Sequence, residues 1–278
     1  MKLYCSQTII TASCWIFMLT NSFLFGQNQL NLDYHQSINN KIDFDYDTKS
    51  YYIDDILSNK IEPKEVYKIV ITNKQEMSYF LKNIHQFSNL LKLHIYKTKL
   101  LEFDFLNSLK NLRVLSLSHI RKIDYDGLVD ELNKISNIKH LIISSKSLRR
   151  LPKKINKLNY LKSLGIKNSK IKHADFSISL YYLELTSNRK IDFSSINIEN
   201  TEVVYLKNNG IKDFPKNLGS SKTLRSLIIS QPEKFNFDCF IKGFINLEIL
   251  DIFSTPVLGI KNSCFIENKN IEIVQQER

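Results

Sequence analysis

Ten stretches of this chain share one arrangement of apolar residues, apolar-x-x-apolar-x-apolar, and no other feature constrains the fold as tightly. They start at Val66, Leu90, Leu112, Ile138, Leu161, Leu180, Thr201, Leu224, Leu247 and, truncated, Ile271, so neighbouring starts lie 19 to 26 residues apart. The stretch "LPKKINKLNYLKSLGIKNSKI" from Leu151 shows the unit behind the period. Leu151, Ile155, Leu158 and Leu161 follow helical spacing, and Leu164 and Ile166 then alternate. A helical turn running into a short strand over Lys162 to Ile166 accounts for the change of period. One such unit cannot bury its own apolar edge, whereas stacked copies bury a continuous core between them.

The segments "LLKLHIYKTKL" from Leu90, "LKSLGIKNSKI" from Leu161, "LYYLELTSNRK" from Leu180 and "TEVVYLKNNGI" from Thr201 resemble the leucine-rich repeat family over about residues 53 to 273. The resemblance implies an α/β solenoid, a curved horseshoe with one short parallel strand per coil on the concave face and helical or irregular turns on the convex face. It also implies an asparagine at the ninth place of each repeat. Asn188 and Asn209 keep it, Thr98, Ser169 and Thr255 substitute in part, and Ile120, Lys146 and Pro232 have no neutral amide to offer. The coils are expected to be less regular at those three.

A stack of coils exposes an apolar edge at each end and needs a cap. The expected N-terminal cap is a short helix from Ile53, with Ile53, Ile56 and Leu57 on one face and Asp54 and Asp55 in the first turn, where negative charge suits the helix dipole. The repeat domain is therefore read as residues 53–278, after a polar lead-in at 27–52. In that lead-in Asp43, Asp45 and Asp47 alternate like the start of a calcium loop, but Thr48 and Asp54 stand where such a loop needs Gly and Glu, so no metal is expected. Residues 1–26 have one early lysine, an apolar run from about Ile9 to Phe25 and no acidic residue, the layout of a secretory signal peptide. Export to the periplasm, cell surface or medium follows, with no membrane span after cleavage.

Charge narrows the partners. The chain carries 39 Lys and Arg against 28 Asp and Glu, and losing residues 1–26 removes one lysine, so the mature charge is 38 − 28 = +10. Nucleic acid is not expected of an exported chain without a nucleic-acid motif, while an anionic glycan or cell-surface polymer is the alternative partner that the charge permits. Cys239 and Cys264 remain after cleavage and lie in successive coils, where either a disulfide or two buried thiols fits.

Catalysis needs convergent groups, and the chain has no G-x-S-x-G, no H-E-x-x-H, no phosphate-cradling glycine loop and no Cys/His cluster at zinc spacing. His94 and His140 share the strand face but stand two coils apart, too far for one metal ion. The reading is a non-enzymatic binding module without cofactor, whose partner is a protein or extended peptide. Side chains at the third, fifth and seventh places of each repeat should leave the core and line the concave face. Tyr96, Ile142, Lys167, Tyr182, Tyr205, Lys207, Ile228 and Phe253 are the expected contacts, because aromatic and apolar groups on a rigid face serve as interaction anchors.

Overall fold

The computed structural model describes residues 49–58, 60–99, 102–120, 123–173, 177–188, 191–193, 196, 198–211, 218, 221–230, 235–236, 246–253, 257–258 and 272–276. The expected signal segment, the three aspartates of the lead-in, Thr255 and both Cys239 and Cys264 lie outside them.

Each repeat delivers a strand. In chain order these are β1 (Tyr51–Tyr52), β2 (Lys68–Ile71), β3 (Lys92–Tyr96), β4 (Val114–Ser118), β5 (His140–Ser144), β6 (Ser163–Lys167), β7 (Leu180–Thr186), β8 (Thr201–Lys207), β9 (Ser226–Ser230), β10 (Phe235–Asn236), β11 (Ile249–Phe253), β12 (Val257–Leu258) and β13 (Glu272–Gln276). Eleven form one sheet in the order β1-β2-β3-β4-β5-β6-β7-β8-β9-β11-β13, and β10 pairs with β12 beside it. All pairings are parallel, and neighbours in space are neighbours in the repeat order. The fold is a leucine-rich repeat solenoid.

The fourth and sixth places of the repeats face the core. Leu93, Leu115, Leu141, Leu164, Leu183 and Leu227 stand level across the sheet and are fully buried. Among the described residues, the return paths of the coils close the core from the other side. The path is a two-turn α-helix in α2 (Lys74–Lys82) and α3 (Tyr125–Lys134) and a single 3-10 turn at Asp104–Ser108 and Lys153–Lys157. Asn73 caps α2 by accepting from Glu76 N–H at 2.9 Å, and the Glu76 carboxylate accepts from Thr72 N–H at 2.5 Å, so two free amides at that end are satisfied reciprocally.

The expected cap helix forms as α1 (Ile53–Ser58), and Ile53 and Ile56 are buried in the core. Leu57 departs from the expectation: it is 54% exposed, since a helix this short turns only one narrow stripe inward. The sheet also begins earlier than residue 53, because Tyr51 and Tyr52 pair with Ile69 and Val70 of β2. At the other end the register of the last strand differs by one residue. Ile273 stands beside Leu250, a core place, so the truncated repeat starts at Asn270 rather than Ile271.

Two hydrogen-bond ladders tie the coils together. The expected one is short: Asn188 Nδ2 donates to Ile166 O at 2.7 Å and Asn209 Nδ2 to Leu185 O at 2.8 Å, while their Oδ1 atoms accept from Ser169 N and Asn188 N, both at 2.9 Å. Where Ile120 breaks it, Ser145 Oγ of the next coil donates to Ile120 O at 3.3 Å instead. The second ladder was not anticipated. The residue just before a repeat start donates its side chain to a backbone carbonyl of the preceding coil: Asn89 to Lys64 and Asn111 to Ser88 at 2.8 Å, Asn137 to Lys110, Asn200 to Ser177 at 3.3 Å, and Asn246 to Lys222. Tyr160 and Thr223 take the same place with hydroxyls, donating to Leu132 O and Glu199 O. Its sequence signal is the recurring dipeptide Asn-Leu at 89–90, 111–112 and 246–247, with Asn-Ile at 137–138.

Candidate binding face

The alternation of β-strands sends the third, fifth and seventh places of each repeat to the face turned away from the core. Register brings them level. Lys92, Val114, His140, Ser163, Tyr182, Val203, Ser226 and Ile249 make one row, and His94, Ser116, Ile142, Gly165, Glu184, Tyr205, Ile228 and Asp251 make the next. Tyr96, Ser118, Ser144, Lys167, Thr186, Lys207 and Ser230 form the third, at the C-terminal ends of the strands.

Tyr182, Val203, Tyr205, Ile228 and Ile249 are buried hydrophobic residues outside the contiguous core cluster, which holds their neighbours Leu183, Val204, Leu206 and Ile229. The face assignment therefore stands, but the degree of exposure needs correction. Tyr182 is 8%, Tyr205 5% and Ile228 2% exposed, so they form a floor and offer little of their own surface. Side chains on adjacent strands are about 5 Å apart, and bulky ones at that spacing cover each other. Tyr96, Ile142, Lys167 and Lys207 are half-buried and accessible. Ile142 stays open because its neighbour on β6 is Gly165, which has no side chain to lean on it. Phe253 closes β11, and its side chain lies outside the described residues.

The charges on this face are unevenly compensated. Lys167 Nζ lies 2.7 Å from Glu184 Oε1, and Thr186 Oγ1 donates to the same oxygen at 2.9 Å, so the central carboxylate is satisfied and cancels Lys167. Burial pushes the Lys207 ammonium below its ordinary value, with Glu184 opposing the shift and Lys167 adding to it. Toward β2 the face is cationic: Lys68 opposes Lys92, and His94 beside them is held down to about 3 by burial first and by the two lysines next. Toward β11 it is acidic, where burial pushes the Asp251 carboxyl up to about 7. Burial also raises the Tyr205 phenol, with Glu184 and Asp251 adding to the effect, so that hydroxyl stays protonated.

At the strand ends, Tyr96 packs edge-on against His119 with ring centroids 5.1 Å apart, and Lys97 Nζ sits 4.9 Å above the Tyr96 ring. His94 and His140 lie two strands apart, as expected. Among the described residues there is no group of three or more His, Cys, Asp or Glu able to hold a metal ion, and no helix is long and apolar enough to cross a membrane.

No family model matches the chain, and no curated protein matches it. Solved structures of leucine-rich repeat proteins do resemble it. One is an internalin (inlF) from Listeria monocytogenes, at 18% identity and a TM-score of 0.42, covering 69% of this chain and 63% of that one. A second is the plant peptide hormone receptor RGFR1 in complex with RGF2, at 16% identity and a TM-score of 0.38, covering 75% of this chain and 38% of that one. A Leptospira interrogans LRR protein matches at 15% identity and a TM-score of 0.27, with 82% of each chain covered. The match spans less than two thirds of the internalin and of the receptor.

Proposed function

We propose that the chain is an exported, non-enzymatic binding module whose concave sheet face takes a protein or an extended peptide. The observation that carries this reading is the composition of the open face. A sheet face meant only for water is filled with charged and small polar groups, yet four adjacent strands here place Tyr182, Tyr205, Val203, Ile228 and Ile249 there, outside the core cluster. They make a stiff floor, and Tyr96, Ile142, Lys167 and Lys207 stand accessible around it. A rigid apolar floor with an aromatic and polar rim is the layout of a protein interface. An anionic polymer on this face is disfavoured by the 2.7 Å pairing of Lys167 with Glu184, which removes the central cation.

Capture from the native extracellular fraction tests the reading. The full chain should retain a protein that stays bound in about 0.5 M salt, where exposed ion pairs are largely screened. Ile142→Arg should lose it at an unchanged melting temperature. Retention of the same protein by Ile142→Arg and Tyr96→Ala would place the site elsewhere. Export is tested separately by intact mass of the native protein, which should lack the first twenty-odd residues, roughly the usual length of a signal peptide.

A further inference from the structure

The lysines and arginines look scattered along the chain, but the stacking of coils sorts them. After each strand the chain bends, and the first residue past the bend donates its N–H to the last strand carbonyl of the next coil: Lys97 to Ser118 at 3.0 Å, His119 to Ser144 at 2.7 Å, Ser145 to Lys167 at 3.1 Å and Asn168 to Thr186 at 2.9 Å. Lys170 N continues the stacking onto Leu148 O at 2.9 Å. The segments that follow the strands are thus layered one on another, about 4.8 Å per coil.

Three of those segments, in the coils of β3, β5 and β6, are one-signed, and the run ends at the coil of β7, where Asp192 N–H donates to Lys172 O at 2.7 Å. Residues 97–99, 145–150 and 168–173 hold no Asp or Glu. They contribute Lys97 and Lys99 from the coil of β3, Lys146, Arg149 and Arg150 from that of β5, and Lys170 and Lys172 from that of β6, every one exposed. His119 bridges the first two groups. Burial lowers its imidazole first, and Lys97 and Lys146 on the flanking coils lower it further, so both ammonium groups act on the same ring. The described ion pairs, Lys134 with Glu131, Lys154 with Asp130, Lys167 with Glu184 and Arg225 with Glu248, engage none of the seven. At the opposite ends of the strands both signs occur, and there Arg225 pairs with Glu248. A uniform line of uncompensated charge costs self-repulsion, which a counter-charged ligand relieves.

We infer that this ledge along the C-terminal edge of the sheet is a second binding surface, separate from the open face, and that it takes a linear anionic polysaccharide. The ligand chemistry is a row of carboxylate or sulfate oxygens. A line one coil wide fits a chain better than a plane of lipid headgroups. The exposed large hydrophobic residues Leu57, Tyr67 and Leu81, which a membrane surface would engage, belong to other segments.

The test uses the full chain, with heparin and polygalacturonate as sulfated and carboxylated probes, against anionic phospholipid vesicles and a single-stranded oligonucleotide. Binding to at least one polysaccharide should weaken steeply with salt. Lys97→Glu, Lys146→Glu and Lys170→Glu together should lower that affinity by about tenfold or more and reduce the salt slope by about 2 to 3, roughly one per cation removed. The same charge change at Lys64, Lys110 and Lys162 should cost less than about twofold. Should the three glutamates lower the melting temperature, the three glutamines carry the same comparison. Equal losses in the two triple variants, no polysaccharide binding by the unaltered chain, or tighter binding to vesicles or oligonucleotide would overturn the inference. Because Ile142 is untouched, failure here leaves the reading of the open face standing.

Discussion

At the residue scale, the sharpest requirement falls on the place just after five of the strands. Lys97, His119, Asn168, Ser187 and Asn208 all have φ between 51° and 57°, the left-handed region that side chains with a Cβ enter at a cost of about 1 kcal/mol. Each also donates its N–H to the ladder with the next coil. Ser187→Gly should therefore leave stability unchanged or raise it by up to about 1 kcal/mol, while Ser187→Val should lower it by about 1 to 3 kcal/mol, read by chemical denaturation. Two buried titratable groups give opposite pH responses. Asp251 titrates near 7 in the fold against 3.8 ordinarily, so the fold holds its proton more tightly, and its contribution is full below about 4 and lost as pH rises through 7. His94 titrates near 3 against 6.5, so its contribution is full above 6.5 and lost as the solution is acidified. The slopes oppose each other in between. Asp251→Asn should leave only the histidine slope, so that thermal stability falls from pH 7 to pH 4 more steeply than in the unaltered chain; parallel profiles would show that Asp251 does not carry the effect.

Among the elements, α1 and the side-chain staples decide whether the stack holds at its end and between its coils. Ile56 is buried against the first coil and Leu57 faces water, so Ile56→Asp should cost about 2 to 4 kcal/mol and Leu57→Asp less than about 0.5 kcal/mol. Equal melting temperatures for the two would mean that α1 is not docked. The sequence expectation had grouped Leu57 with Ile56, because spacing alone shows which residues share a broad face but not how wide a stripe a six-residue helix buries. The Asn111 staple to Ser88 O is exposed, and Asn111→Ala should cost only about 0.5 to 1.5 kcal/mol. The period, the strands and their two faces were legible because each repeat writes the same pattern locally. The last register was not: "IEIVQQER" offers too few apolar residues to separate a start at Ile271 from one at Asn270, and pairing with Leu250 decides it.

For the whole molecule, what the sequence conceals is whatever the stacking creates between residues about twenty-odd positions apart. Tyr205 and Ile228 stand on the side of the sheet away from the core cluster, and their depth depends on cross-strand neighbours that no single repeat contains. Tyr205→Ala is accordingly expected to cost stability, about 1 to 3 kcal/mol, where a free surface position would cost almost nothing, and Leu206→Ala on the core side about 2 to 5 kcal/mol. The basic ledge was concealed in the same way, since its cations are dispersed along the chain and meet only in the stack. Tyr96 and Ile142 are the accessible, uncharged members of the proposed contact set, and they carry the functional claim. The most direct measurement places a photo-activated benzophenone side chain at Ile142 on the open face and, in a second protein, at the exposed Ser108 on the return path of a coil, each irradiated with the native extracellular fraction. The account predicts a single protein or peptide adduct from position 142 and none from position 108; an adduct formed from position 108 and absent from position 142 would contradict it.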